Sequence, residues 1–147
     1  QLADHFRIPL YGAFMRTRGT IPVVKDDPHA LLELRRRMRS ELDAGHSLLA
    51  FPEGTRTRDG RVGPFHEGLF HLARQLAVEV VPVALTGMSD VLRTGSHLMR
   101  PGQQVTVHVL APRATASLGR AEVPAFAKQV HDDIARIVDA WLDRERA

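Results

Sequence analysis

Between residues 27 and 45 the apolar positions fall on one line. Leu31, Leu34, Met38 and Leu42 are spaced three, four and four residues apart, the period of a single helix face. Asp27 and Pro28 supply an oxygen cap and then a proline whose fixed φ suits the first helical turn. Gly45 is placed to stop the helix. Arg35, Arg36, Arg37 and Arg39 lie mostly off the stripe, so they are expected on a solvated cationic face. The same period selects Leu69, Leu72, Ala73 and Leu76 over His66–Ala77. Over about Pro124–Arg144 it selects Phe126, Val130, Ile134, Ile137 and Trp141. A shorter helix is expected over Leu10–Arg18, between Pro9 and Gly19.

The other apolar runs are too short for helices. Thr20–Val24 (TIPVV), Ser47–Phe51 (SLLAF) and Glu79–Leu85 (EVVPVAL) read as strands, and Gln104–Leu110 (QVTVHVL) alternates residue by residue. That alternation points His108 outward. Pro82 inside the third strand predicts an edge position or a bulge, because proline has no N–H for the ladder. Strands alternating with helices predict an α/β fold, a mostly parallel or mixed sheet with flanking helices in one domain spanning residues 1–147. Parallel strands open their carboxyl ends on one sheet edge, where ligands bind. Lys25 follows the first strand, the Glu53–Arg58 loop the second and Thr86–Gly87 the third. These three segments are therefore expected at one crevice.

Composition narrows the chemistry. The 147 residues include no cysteine, which excludes a disulfide scaffold, a thiolate zinc site and a cysteine nucleophile. No repeat or low-complexity tract is present, and no apolar run approaches the ~20 residues of a membrane span. The net charge is +3, yet of 20 basic residues only Lys25 and Lys128 are lysines. Arginine's planar fork suits phosphate and carboxylate. With one Trp and one Tyr, base stacking is poorly served and no nucleic-acid partner is expected. Of the eight histidines, His66 and His71 are five apart, on poorly matched helix faces, so no metal site is expected.

Phe51-Pro52-Glu53-Gly54-Thr55-Arg56-Thr57-Arg58 concentrates the candidate chemistry. A strand ends, proline blocks further pairing, and glycine permits a tight bend. Thr55 and Thr57 offer hydroxyls, and Arg56 and Arg58 offer forked cations, a set suited to a small oxyanion such as a phosphate monoester. Glu53 would orient an arginine or accept from a substrate hydroxyl. The spacing is not that of a Walker loop.

FPEGTRTRDG resembles the signature of the glycerophospholipid acyltransferases, the family of 1-acylglycerol-3-phosphate acyltransferase. IPLYGAFMRTRGTIPVVK, PFHEGLFHLA and VVPVALTG resemble three more of its blocks in the same order, from about Ile8 to Gly87. The resemblance implies a glycerol-3-phosphate acyltransferase-like fold and transfer of a fatty acyl group to a lysophosphatidate-type hydroxyl. Acyl-CoA or acyl carrier protein would be co-substrate, with no other cofactor. Glu53, Gly54, Thr55 and Arg56 would hold the acceptor phosphate, helped by Lys25, which stands where the family has Arg. Pro82 and Val83 would line the acyl or acceptor pocket, and His66 stands where Lys is common.

The family's catalytic His-x4-Asp precedes the Ile-Pro segment, and no histidine here has Asp five positions later. That pair is expected upstream of Gln1, which makes this an acyltransferase domain lacking its catalytic-motif segment and inactive alone. A lipid-phosphate-binding pseudoenzyme is the alternative. Lipid substrates imply a peripheral position on the cytoplasmic face of a membrane.

Overall fold

The computed structural model describes residues 11–17, 19–21, 28–55, 57, 59–91 and 98–146, and the chain divides into two compact units, Gln1–Leu49 and Ala50–Ala147. The first unit holds α1 (Tyr11–Thr17) and α2 (Pro28–Asp43). Gly19 adopts φ 68°, and the Thr20 N–H then turns back to the Met15 carbonyl at 3.0 Å. α2 closes in the same manner. Gly45 sits at φ 83°, Gly45 N–H donates to Leu42 O at 2.9 Å, and His46 N–H donates to Glu41 O at 3.0 Å. This pair of bonds satisfies carbonyls that the helix end would otherwise leave open. His46 thus caps the helix through its backbone N–H, and its ring Nδ1 also meets Glu41 Oε2 at 2.8 Å.

Leu34, Met38 and Leu42 are half-buried, whereas Leu31 and the four arginines of α2 are exposed. Arg37 pairs with Glu33 at 2.8 Å. That hydrogen bond is the main reason the Glu33 carboxyl lies below its ordinary range. The expected strand at Thr20–Val24 lies largely outside the described residues, as do Lys25 and Asp27. Thr20 and Ile21 are not in a strand.

The second unit holds α3 (Gly68–Leu76), β1 (Val83–Thr86), α4 (Met88–Val91), β2 (Thr106–Val109), a 3-10 turn (Arg120–Glu122) and α5 (Val123–Arg146). α5 packs on both β1 and α3. One core cluster joins Phe70 to Val123, Phe126, Ala127 and Val130; a second joins Ala84 to Val138 and Leu142. Ile134 contacts both clusters, so the periodic stripe on α5 is the spine of the unit. α3 ends on Ala77, a non-glycine residue at φ 53°. The buried Thr115 hydroxyl reaches the Ala73 and Val78 carbonyls there, at 3.1 and 2.6 Å.

The sheet is expected to be mostly parallel or mixed, and no parallel pairing occurs among the described residues. Among the described residues it is one antiparallel pair, with Val83 opposite Val109 and Thr86 opposite Thr106. Gly87, just after β1, lies where the chain returns alongside it. It takes φ 83°, and a Cβ there would lie 2.1 Å from the Gln104 carbonyl oxygen. Only a bare backbone lets the returning chain pass this close. Beyond the ladder, Val80 bridges Arg113. The chain advances three residues from Val80 to Val83 but four from Val109 to Arg113, which is a β-bulge opposite the segment carrying Pro82.

Register also reverses the expectation for His108. Directly opposed residues share a face, and His108 pairs with Ala84, which is fully buried under α5. Its Nε2 lies 3.3 Å from the Thr86 hydroxyl. Val107 and Val109 point outward instead, 57% and 69% exposed. Ser47–Phe51 does not form the expected buried strand: Leu49 and Phe51 are exposed and no strand pairs with them among the described residues. A lone extended run has no ladder to satisfy its backbone.

Candidate functional site

The loop from Phe51 to His66 is closed by its own hydrogen bonds. Gly54 takes φ 68°, and its N–H donates to the Phe51 carbonyl at 3.2 Å. Glu53 Oε2 accepts from the Gly63 N–H at 2.7 Å, and His66 N–H donates to the Pro52 carbonyl at 2.8 Å. The start and end of the loop are thereby joined by two hydrogen bonds. Gly54 and Thr55 remain exposed on the rising limb. A Cβ at Gly54 would stand 3.2 Å from the His66 ring, so the bend tolerates little beyond hydrogen.

The falling limb is fixed from outside. Asp59 Oδ1 accepts the Arg61 N–H at 3.1 Å, setting a local turn. Arg61 then donates to Asp139 of α5 at 2.5 Å and approaches Asp143 at 3.6 Å. A Cβ at Gly60 would lie 3.4 Å from Leu142 Cδ2 and 3.6 Å from Ser89 Oγ. The loop therefore rests against both α5 and the segment just after β1. Of the three segments expected to converge, the loop approaches the third at Gly60, past Arg58, and Gly60 lies near Ser89, two positions beyond Gly87. Lys25 lies outside the described residues, and so do Arg56 and Arg58.

Pro82 is buried just before β1, where its carbonyl accepts the Leu110 N–H at 3.0 Å, and Val83 is half-buried in the ladder. Neither lines the open groove of 510 Å³ that runs between Val62–Glu67 and Pro124–Asp132. Phe65 and Ala127 contribute to that groove's apolar wall. On its rim Asp132 binds Lys128 at 2.5 Å and His131 at 3.1 Å. These two hydrogen bonds, Lys128's the larger, hold the Asp132 carboxyl below its ordinary range. No group of side chains suited to a metal ion occurs among the described residues.

Sequence reasoning missed the Glu53–Gly63 bond and the Arg61–Asp139 pair. A spacing of 78 residues between Arg61 and Asp139 leaves no local signal. Asp139 and Asp143 at i and i+4 do mark one face of α5.

A family model described as Acyltransferase matches residues 2–86. The chloroplastic 1-acyl-sn-glycerol-3-phosphate acyltransferase BAT2 of Brassica napus is 40% identical over 91 residues, 62% of this chain and 26% of that protein. A 1-acyl-sn-glycerol-3-phosphate acyltransferase of Limnanthes douglasii is 34% identical over 133 residues, 90% of this chain and 47% of its own. The crystal structure of the 1-acyl-sn-glycerophosphate (LPA) acyltransferase PlsC from Thermotoga maritima superposes with a TM-score of 0.72 at 25% identity, over 93% of this chain and 53% of that one. The chain thus spans between about a quarter and about half the length of the curated relatives it matches. With the family model covering more than half its residues and the closed signature loop inside the matched span, the chain belongs to the acyltransferase family.

Proposed function

We propose that this chain is the acceptor-binding part of a 1-acylglycerol-3-phosphate O-acyltransferase. The acceptor hydroxyl attacks the thioester carbonyl of acyl-CoA or acyl carrier protein, the C–O bond forms as the C–S bond breaks, and the proton passes through a base to the leaving thiolate. Lys25 and Arg56 clamp the phosphate, framed by Glu53, Gly54 and Thr55. Pro82 and Val83 border the acyl or acceptor pocket. The base is the His of a His-x4-Asp pair upstream of Gln1, and the protein works as a peripheral protein on the cytoplasmic face of a membrane. Among the described residues no helix is long and apolar enough to cross one.

The observation that carries this reading is the closed Phe51–His66 loop. It presents an exposed glycine and threonine inside the span of the family match. The test is acyl transfer to lysophosphatidate by this chain and by a version extended upstream. General-base catalysis contributes roughly 10²–10⁴-fold, so activity is expected from the extended protein and almost none from the chain alone. Equal rates contradict the assignment of the base. Within the extended protein, Arg56→Ala is expected to raise the acceptor KM about tenfold or more; an unchanged value removes the phosphate clamp.

A further inference from the structure

The acceptor loop is held in place by a part of the chain that the family model does not reach. That model stops at residue 86, yet the outside contacts of the falling limb include residues of α5. Arg61 spreads its fork over Asp139 at 2.5 Å and Asp143 at 3.6 Å. Gly60 lies against Leu142, one position before Asp143. Val62 packs into the cluster of Ala84, Val138 and Leu142. Gly63, next in sequence, then donates to Glu53, so the rising limb inherits the position that α5 imposes on the falling one.

We infer that Asp139 and Asp143 of α5, acting through Arg61, are positioning residues for the acceptor site. The inference rests on the acceptor reading of the Glu53–Arg56 loop proposed above. Stability is a poor explanation for the pair. All three side chains are about two-fifths or more exposed, and ion pairs at such exposure contribute little to folding. Geometry is a better one. Misplacing a bound group by about 1 Å can cost up to ~10²-fold in rate, and a guanidinium spanning carboxylates at i and i+4 fixes both direction and distance. Lysine reaches one carboxylate but cannot span two.

The test uses Asp139→Asn, Arg61→Gln and Arg61→Lys in the full-length protein, with Arg56→Ala alongside. Gly63 amide exchange should accelerate about three- to fivefold in Asp139→Asn and Arg61→Gln, with the melting temperature nearly unchanged. The KM for lysophosphatidate should rise about three- to tenfold in the same two variants, with the KM for the acyl donor constant and Arg61→Lys recovering part of the loss. Unchanged exchange at Gly63 overturns the inference. Faster exchange with an unchanged acceptor KM overturns it as well. Arg56→Ala separates the two failures, because an unchanged acceptor KM in that variant overturns the acceptor reading itself.

Discussion

The two limbs of the Phe51–His66 loop are built differently. The rising limb, from Phe51 to Thr55, carries the residues that resemble the family's phosphate site, and its hydrogen bonds run within the loop itself. The falling limb, from Asp59 to Phe65, carries no residue proposed to touch substrate, yet it is the limb anchored to α5 and the core. Chemistry and anchorage have been separated. An exposed threonine and a glycine at positive φ give good access to a ligand but poor self-support. The neighbouring limb supplies the rigidity through Glu53 and Gly63. A site residue can thus depend on a helix 80 positions away without touching it.

Removing the anchor should have the largest effect. Leu142→Ala deletes a buried side chain under Gly60 and is expected to cost about 2–5 kcal/mol, read as a lowered urea midpoint. Amide exchange should rise in the falling limb as well as in α5. Gly54→Ala strains the rising limb directly. It places a Cβ at positive φ and 3.2 Å from the His66 ring, for about 1–2 kcal/mol, and the His66 ring resonances should shift. Glu53→Gln addresses the joint between limbs. A neutral oxygen replaces a charged acceptor at 2.7 Å from Gly63 N, so about 1 kcal/mol is expected, seen as faster Gly63 exchange. The smallest effect serves as a control. Ala77→Gly relieves a left-handed alanine at the end of α3 and should stabilise the fold by about 0.5–1 kcal/mol while exchange in both loop limbs is unchanged.

Sequence reasoning located what depends on local periodicity. α2 begins at Pro28 and α5 runs from Val123 to Arg146, close to the limits set by proline, glycine and the apolar stripes. The buried faces followed with them: Leu72, Ala73 and Leu76 on α3, Phe126 and Val130 on α5. The sheet was less legible because strand direction is decided by distant backbone. Nothing in QVTVHVL states that Gly87 lets Gln104 pass beside it. Alternation in that strand marked two faces but not which one α5 covers. The covered face is the one with Ala84, Thr86 and His108, while valines look outward. The family signature points to the loop, but Glu53 reads as orienting an arginine or accepting from a substrate hydroxyl, and its bond to the Gly63 backbone has no sequence signal. The proposed clamp of Lys25 and Arg56 falls outside the described residues, so its test belongs to solution measurement.

Glycerol 3-phosphate carries the acceptor's headgroup without its chain, and its titration into the ¹⁵N-labelled protein is the most direct such measurement. The account predicts saturable shifts at the amides of Gly54, Thr55 and Gly63 that are lost in Arg56→Ala. Shifts confined to the Lys128–Asp132 rim of the α5 groove, or equal responses in the wild type and Arg56→Ala, would place the headgroup elsewhere and contradict it.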